Sequence, residues 1–467
     1  MADIYIVYSS ANRVKARELV EYLSKSWSVW WDDLIVGSFA DEIEREMPQA
    51  KCVVALWSAA SRASSRVRDE LVLAEKAGVV ILPVKVDECE APYGYGDLSW
   101  VDLRSWDGHA DHPGFQQLLR RLDKVVPPKA RPKRPKSMAS GRLAVPSLFL
   151  SVSSHETQLS PLEAVKALRI FRAPTILVSA YDLLPGRRAP GLLRELKQLR
   201  NDGGFVLIDS GNYEASRRQD AAWRPDELRA ALAKAPHDWA FCFDVLKPAN
   251  TVERAVQQIL DAVQRDREFT NAPVLPIVHA RVRPSGGHDL DTLPTILREI
   301  ADRLEPPLIA VPERELGAGL IERARTVRRI RNELDQLPFY QPLHLLGTGN
   351  PWSIAVLAAA GADSFDGLEW CRVSIDRHSH RLNHFQHFDF FTWQARLAES
   401  AVALEAQDDD GIDFVGKAAF HNLDYFAELA THLRQAAAKG SFEAFVTGLL
   451  GQSNTAQLTR QMPELFL

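Results

Sequence analysis

Short apolar runs recur along most of the chain, and segments with helical periodicity separate them. Eight runs follow one another in the C-terminal two thirds: SLFLSV (147–152), TILVSA (175–180), FVLIDS (205–210), WAFCFD (239–244), VLPIVH (274–279), PLIAV (307–311), LHLLGT (343–348) and DSFDGLEW (363–370). Nearly continuous apolar strands that alternate with helices are typical of parallel sheets covered on both faces. Eight such units predict a (β/α)₈ TIM barrel, because that fold repeats a strand and a helix eight times.

Polar side chains follow most of these runs at the point where each predicted strand ends. In a barrel of parallel strands the carboxyl ends meet at one mouth, where the catalytic residues of such barrels lie. The residues expected there are Asp209, Asp244, His279, Glu313, Thr348 and Asp366. After residue 380 the pattern turns helical, as in AELATHLRQAAAKG, and predicts a C-terminal helical extension.

The beginning of the chain shows a shorter version of the same alternation. The runs IYIVYS, SVWWDD, KCVVALWS and VVILPVKVD are separated by segments with helical periodicity. This pattern predicts an α/β domain with a flavodoxin-like parallel sheet. Ligands of such sheets lie at the carboxyl ends of the strands. That rule places Ser9–Ser10, Asp32–Asp33 and Ser58 together on the rim of the sheet where a ligand would bind.

A segment rich in proline and basic residues, PPKARPKRPK, separates the two regions. Proline and like charges keep a chain extended, so a solvated spacer is favoured over the alternative of a nucleic-acid contact. The predicted domains are an α/β domain over 1–126, a linker over 127–143, a barrel over 144–380 and a helical extension over 381–467.

Composition excludes several classes of protein. With 56 Lys and Arg against 61 Asp and Glu, the chain is not a uniformly basic nucleic-acid binder, although a local basic patch is compatible with this balance. Four cysteines cannot build a disulfide framework, which favours a reducing compartment. No apolar run reaches the roughly 20 residues that span a bilayer, and the first residues lack the character of a signal peptide. We therefore expect a cytoplasmic protein without a membrane partner.

The first domain resembles a TIR domain over nearly its whole length. IYIVYSSANR is similar to the first TIR box, and WWDDLIVGSF is similar to the loop after the second strand. VVALWSAASRASSRVRDELVLA resembles the third strand and the helix that carries the glutamate of the enzymatic members. TIR domains are either scaffolds of signalling complexes or enzymes that cleave NAD⁺ between nicotinamide and ribose, and the resemblance leaves both roles open.

By this resemblance Glu70 is the catalytic carboxylate, and NAD⁺ is the substrate. A carboxylate near the ribose would stabilise the positive charge that develops there; the alternative is an ordinary surface glutamate of a helix. Ser9, Asp33 and Phe39 match positions that line the nucleotide cleft. Arg66 stands where enzymatic members often have tryptophan, four residues before the glutamate. The family also implies activation by homo-oligomerisation.

The C-terminal region, from about residue 147 to 390, resembles the queuine tRNA-ribosyltransferase (tRNA-guanine transglycosylase) family. HLLGTGNPWSIAVLAAAGADSFDGLEWCR is similar to the segment that leads to the family's nucleophilic aspartate. By that match Asp366 is the nucleophile and Arg372 is the arginine six residues later. Such an aspartate attacks C1′ of a nucleotide, expels guanine and forms a covalent sugar–enzyme intermediate.

The base-binding positions follow the family only in part. LIDSGNYE resembles the family's DSGGYQ, which makes Asp209 the carboxylate that handles the base, and FDVLKP keeps Asp244 of the family's FDxxxP. Asn212 and Glu214 replace a glycine and a glutamine of that motif, and His279 replaces the glutamine after the fifth strand. VPERELGAG stands where the family has a glycine-rich loop. Ordinary queuosine insertion is therefore not expected; a different nucleobase or a modified nucleic acid is the favoured ligand.

The family's zinc signature, CxCxxC followed by histidine, is missing. Four histidines lie near its position: His378, His380, His384 and His387. They could bind Zn²⁺, but structural roles are favoured because the thiolates are absent. Zinc is therefore not an expected cofactor.

Three functions are compatible with the sequence. The leading hypothesis is a TIR effector that consumes NAD⁺ in antiphage defence or stress signalling, with the barrel as sensor or assembly module. The second is a base-exchange enzyme that acts on tRNA or DNA through Asp366, with the TIR domain as an interaction module. The third is an inert scaffold in which neither Glu70 nor Asp366 matters. The trigger, the base and the linear or cyclic form of the ADP-ribose product stay open.

Overall fold

A computed structural model of the protein divides into two compact units, Met1–Arg131 and Pro132–Leu467. The residues that it describes are 2–24, 26–31, 39–109, 112–126, 133–283 and 286–466, with the backbone alone for 39–42.

The first unit is built on a parallel sheet, as the sequence predicts, and this sheet has five strands. Its strands are β1 (Ile4–Val7), β2 (Val29–Trp30), β3 (Cys52–Trp57), β4 (Val80–Lys85) and β5 (Val101–Asp102), in the order β2-β1-β3-β4-β5. Its helices are α1 (Arg13–Leu23), α2 (Phe39–Glu46), α3 (Ala59–Ala63), α4 (Ser65–Lys76) and α5 (Pro113–Val125). The edge strand β5 was not predicted, because two residues are too short to produce a recognisable pattern.

Alternate side chains of the central strands pack into two apolar layers, one on each side of the sheet. Ile4 and Ile6 of β1 pack with Leu19 of α1 and Leu118 of α5, on one side of the sheet. The intervening strand residues pack on the other side, with Met47 and with residues of α4. Both faces of the sheet are therefore covered, which explains why the strands are apolar without interruption.

The second unit contains an eight-stranded parallel sheet that confirms the predicted barrel. Its strands are β8 (Ser147–Val152), β9 (Thr175–Ser179), β10 (Phe205–Asp209), β11 (Trp239–Phe241), β12 (Val274–Leu275), β13 (Ile309–Pro312), β14 (Leu343–Leu346) and β15 (Ser364–Gly367). Strand β15 pairs with β8, and a bridge between Ile277 and Ala310 joins the remaining two edges. Seven of the eight strands fall within the apolar runs that predicted them, and β13 extends one residue beyond its run, to Pro312.

Helices follow the barrel strands and cover the outside of the sheet. They are α6 (Pro161–Ile170), α7 (Leu192–Asn201), α8 (Asn212–Arg217), α9 (Pro225–Leu232), α10 (Val252–Asp266), α11 (Leu293–Leu304), α12 (Leu320–Leu334), α13 (Pro351–Ala360) and α14 (Glu369–Arg372). Their apolar faces share one continuous cluster with the outward-facing strand residues.

The predicted linker differs from the structure in its second half. A hairpin of β6 (Ser137–Met138) and β7 (Leu143–Ala144) precedes the barrel. Met138 and Leu143 are buried in the cluster that fills the barrel interior, together with Phe149 and Phe205. The second unit therefore begins before residue 144. The sequence pattern did not reveal this, because the few apolar residues of the hairpin are spaced among polar ones and their packing partners belong to the folded barrel. Residues 127–132 lie outside the described part of the chain.

The helical C-terminal end is also confirmed, and it belongs to the barrel unit. A hairpin of β16 (Val373–Asp376) and β17 (Arg381–His384) spans the predicted boundary at residue 380. The helices that follow are α15 (Thr392–Ala395), α16 (Ala401–Asp408), α17 (Phe414–Lys439), α18 (Phe442–Leu450) and α19 (Gln452–Gln461). Helix α17 packs against α14, and α18 packs against α13. None of the described helices has the length and apolar character needed to cross a bilayer.

Candidate functional site

The carboxyl ends of the barrel strands surround a cavity of about 640 Å³. Four of the six residues that the strand-end pattern placed at this mouth line it, Asp209, Asp244, His279 and Asp366, and so does Arg372, which the family resemblance added. The other two, Glu313 and Thr348, are buried but are not among the lining residues. The five that line the cavity come from four strand ends and the short helix α14, so the topology of the barrel brings them together.

Asp366 is held by three hydrogen-bond partners. Ser151 Oγ donates to Oδ2 at 2.8 Å, and the backbone amide of Gly347 donates to Oδ1 at 2.8 Å. His344 Nε2 lies 3.2 Å from the same Oδ1, while its Nδ1 lies 2.8 Å from Ser364 Oγ. If Ser364 donates to Nδ1, then Nε2 carries the hydrogen that points at Asp366. The carboxylate is thus fixed in direction by groups that lie within hydrogen-bond distance of both of its oxygens.

On another side of the cavity, His279 lies between two carboxylates. Its Nε2 is 2.7 Å from Asp244 Oδ2, and its Nδ1 is 2.8 Å from Glu315 Oε1. Although burial disfavours an imidazolium, these hydrogen bonds raise the pKa of His279 to about 9. Burial also opposes ionisation of Asp244, but the hydrogen bond from His279 holds the pKa of Asp244 below its usual range. The ring is therefore charged near neutral pH, and both of its nitrogens are engaged.

Two further carboxyl groups face the cavity, and their pKa values are shifted in the opposite direction to that of Asp244. Burial and the charges of Glu214 and Asp244 raise the pKa of Asp209 well above its usual range. Burial likewise raises the pKa of Glu214, although Ser153 Oγ donates to its Oε1 at 2.7 Å. Asp209 and Glu214 can consequently carry protons at a pH at which Asp244 is ionised.

A glycine positions the helix that carries Glu214. Gly211, directly before α8, has φ +78°, and a Cβ atom there would lie 2.7 Å from the backbone nitrogen of Tyr181. The same atom would lie 2.8 Å from Cζ2 of Trp223. Only glycine fits, so the chain can turn from β10 into α8 and direct Asn212 and Glu214 inward. Asn212 Nδ2 then donates to Asp244 Oδ1 at 2.6 Å.

The rim of the cavity combines an aromatic ring with arginines. Tyr213 is half-buried, and the guanidinium carbons of Arg217 and Arg314 each lie 5.3 Å from its ring centre. Arg217, Arg314 and Arg372 all line the cavity. The mouth is therefore positively charged above an interior rich in carboxyl groups, a distribution suited to a ligand with a phosphate outside and a base inside.

The first unit has its own pocket, of about 230 Å³, at the end of β1. Ser9 and Glu70, two of the predicted residues, both line it, and Arg66 and Ser64 are neighbours in the same lining. Glu70 projects from α4 and is 9% exposed. Asp33 lies outside the described residues, and for Phe39 the structure gives only its place as the first residue of α2.

The four candidate zinc ligands have other contacts. His378 stacks on Trp393 with ring centres 5.1 Å apart, and His380 Nδ1 lies 2.9 Å from the hydroxyl of Tyr425. The rings of His384 and His387 are 5.6 Å apart. Within the described ranges, no three His, Cys, Asp or Glu side chains are grouped so that they could hold a metal ion.

Several residues of the barrel site were not predicted. Ser151, His344 and Glu315 hold Asp366 and His279 in place, and Glu369 also lines the cavity. The only sequence signal for His344 is its position as the first residue of the segment that leads to Asp366. Ser151 and Glu315 have no local signal, since they act on residues from other strands.

The protein has two units, and its N-terminal unit matches a known family of domains. The family model described as TIR domain matches residues 4–119. Over the rest of the chain the protein is similar to curated proteins named tRNA-guanine(15) transglycosylase, at low identity.

Three of these relatives come from archaea. The protein of Methanopyrus kandleri is 27% identical over 236 residues, which are 49% of this chain and 49% of the relative. That of Methanothermobacter thermautotrophicus is 25% identical over 213 residues, 44% of this chain and 31% of the relative. That of Pyrobaculum aerophilum is 23% identical over 317 residues, 65% of this chain and 61% of the relative. The chain thus spans between about a third and three fifths of the length of these relatives.

Proposed function

We propose that the barrel breaks N-glycosidic bonds in nucleic acid, with Asp366 as the nucleophile. The observation that carries this proposal is the support of Asp366 by Ser151, Gly347 and His344 inside the cavity that also contains Asp209. A carboxylate fixed by three donors is aimed at one position, and this is what attack on a sugar carbon requires. The relatives named tRNA-guanine(15) transglycosylase agree with a purine base as leaving group.

The raised pKa of Asp209 suits the step in which the base departs. Asp366 attacks C1′ as a carboxylate, while Asp209, whose pKa is raised, keeps a proton that it can give to the departing base. The positive rim of Arg217 and Arg314 would hold the phosphates that flank the reacting nucleotide. Exchange of the base or its release then depends on what attacks the covalent intermediate.

The test is capture of that intermediate. The full chain is incubated with guanine-containing RNA and DNA oligonucleotides and denatured, and intact mass is measured. We expect an adduct with the wild type and none with Asp366→Ala, whereas Asp291→Asn, at an exposed position outside the cavity, should form it normally. Guanine release and adduct formation that persist in Asp366→Ala would refute the proposal.

A second candidate function concerns the TIR domain, which we propose cleaves NAD⁺ with Glu70 as the catalytic carboxylate. The observation in its favour is the small pocket that Glu70 shares with Ser9, at the carboxyl end of a parallel strand. A nearly buried carboxylate there could stabilise the charge that develops on ribose when nicotinamide leaves. In this arrangement NAD⁺ loss would be the output, in antiphage defence or stress signalling, and the barrel would sense nucleic acid and promote oligomerisation.

NAD⁺ consumption separates the two candidates. It is measured for the wild type, Glu70→Ala and Asp366→Ala, with and without the same oligonucleotides. We expect Glu70→Ala to abolish NAD⁺ loss and to leave adduct formation at the barrel intact. Wild-type protein that leaves NAD⁺ untouched under every condition, or a Glu70→Ala variant that still consumes it, would remove the second candidate without affecting the first.

A further inference from the structure

Glu369 lies three residues after Asp366, at the start of α14, and both residues line the cavity. Two glycines make room for its carboxyl group. A Cβ atom on Gly349 would meet Oε2 of Glu369 at 1.6 Å, and one on Gly367 would meet it at 2.4 Å. The carboxyl group therefore occupies space that exists only because both positions are glycine.

This carboxyl group is not committed to another part of the protein. Its Oε2 is buried and has no hydrogen-bond partner among the described residues, which is costly unless a ligand or water supplies a donor. Charged groups face it from three elements: Arg372 on α14, Asp366 on β15 and Glu313 after β13. Burial and the two carboxylates raise the pKa of Glu369, while Arg372 opposes the shift. A carboxylate of raised basicity is suited to take a proton from water.

We propose that Glu369 is the general base that directs water onto C1′ of the sugar bound to Asp366, so that the barrel releases its base by hydrolysis. The inference rests on the covalent intermediate of the proposed function. It adds Glu369 as a catalytic residue and water as the acceptor of the sugar. The covalent intermediate by itself does not determine whether water or a second base displaces Asp366 from C1′.

The two steps balance as follows. A carboxylate oxygen of Asp366 bonds to C1′, the C1′–N bond breaks, and the base leaves with the electron pair and the proton of Asp209. The oxygen of water then bonds to C1′ and gives a proton to Glu369. The bond between C1′ and the oxygen of Asp366 breaks at the same time, and its electron pair returns to Asp366. Solvent carries the proton from Glu369 back to Asp209, and the products are the free base and a sugar with a hydroxyl group at C1′.

The other side of the cavity also favours water as the acceptor. Both nitrogens of His279 are occupied by Asp244 and Glu315, and Asn212 is likewise engaged by Asp244. Side chains whose polar atoms already pair with one another have less capacity to select an incoming base. Water needs only a general base within reach of C1′, and Glu369 lines the same cavity as Asp366.

The test compares wild type, Glu369→Gln, Glu369→Ala and the control Glu333→Gln. Glu333 pairs with Arg298 on the outer helices, at 3.3 Å, and therefore reports a general effect of removing a charge. Each full-length protein receives a guanine-containing RNA or DNA oligonucleotide without added base. Released guanine, the base-free strand and the covalent adduct are followed in time at several pH values.

We expect wild type and Glu333→Gln to release guanine over many turnovers. Glu369→Gln should form the adduct at a normal rate and hydrolyse it about 100-fold more slowly, so that the adduct accumulates. The hydrolysis rate should rise with pH as Glu369 loses its proton, and this rise should be absent in Glu369→Gln. Azide, which attacks C1′ without a general base, should restore turnover of Glu369→Ala and yield the sugar azide, a result that a purely structural role does not predict.

Two outcomes would overturn the inference while leaving the proposed function in place. One is hydrolysis of the adduct by Glu369→Gln at the wild-type rate. The other is a wild-type adduct that persists in water and turns over only when guanine is added. Absence of both guanine release and an adduct, in wild type and in Glu369→Gln alike, would instead overturn the proposed function and this inference together.

Discussion

Ser151 Oγ donates a 2.8 Å hydrogen bond to Oδ2 of Asp366 across the paired strands β8 and β15, the first and last strands of the barrel. The carboxylate of Asp366 is thus oriented by the strand that closes the barrel. Its direction depends on the completed fold and not on local structure alone.

Ser151→Ala should therefore slow adduct formation without abolishing it. Loss of a hydrogen bond to a charged group costs about 1.5–3 kcal/mol, which corresponds to roughly a 10- to 100-fold lower rate. Single-turnover measurement of adduct formation checks this, with Ser353→Ala on α13 as control. An unchanged rate would mean that Gly347 and His344 suffice to hold Asp366.

The charged state of His279 should make the stability of the barrel unit dependent on pH. Because folding raises the pKa of His279 to about 9, its stabilising contribution is complete below the unfolded value near 6.5 and is lost as pH rises through 9. This pKa shift corresponds to a contribution of about 3 kcal/mol at most to the free energy of unfolding.

Denaturant unfolding of the barrel unit between pH 6.5 and 9.5 tests this expectation. Wild type should lose stability across that range, and His279→Gln should lose much less. The exposed His432 provides the control, and His432→Gln should behave as wild type. Equal slopes for wild type and His279→Gln would contradict the imidazolium between Asp244 and Glu315.

Gly211 should tolerate alanine poorly, because a Cβ atom there meets Tyr181 and Trp223 below 3 Å. Gly203 is a matched control, since its φ is +101° but nothing lies within 4 Å of an added Cβ. Both variants should carry a backbone penalty of about 1 kcal/mol, and Gly211→Ala should add a further 1–3 kcal/mol or so from the clash. Thermal unfolding measures the difference, and equal losses would show that α8 can shift.

Much of this site follows from the sequence, and the remainder requires the fold. Parallel strands bring their carboxyl ends together, so Asp209, Asp244 and Asp366 could be placed at one mouth from the position of each at a strand end. The groups that orient these carboxyl groups or shift their pKa values come from other strands. Ser151 is 215 residues before Asp366, and no local pattern records that pairing. The burial that raises the pKa of Asp209 is likewise a property of the assembled cavity.

One residue of the basic segment likewise has a contact that the sequence pattern does not reveal. Proline and charge indicate a spacer, yet Arg134 Nε lies 2.6 Å from Oδ1 of the fully buried Asp363. Asp363 also accepts hydrogen bonds from Tyr340 and Arg331, so Arg134 completes a buried network 229 residues away in the chain. The composition of the segment could not reveal a partner so distant in sequence.

Arg134→Ala should therefore destabilise the barrel unit by about 3 kcal/mol, because it removes one partner of a buried ion pair. Lys133→Ala, at the exposed neighbouring position, removes the same charge from the segment and should change stability by less than about 0.5 kcal/mol. Chemical unfolding of both variants gives the comparison. If the two variants unfold alike, the contact of Arg134 with Asp363 contributes little and the segment acts as a spacer throughout. A large loss for Arg134→Ala alone would show that the barrel unit recruits the end of the basic segment as part of its own fold.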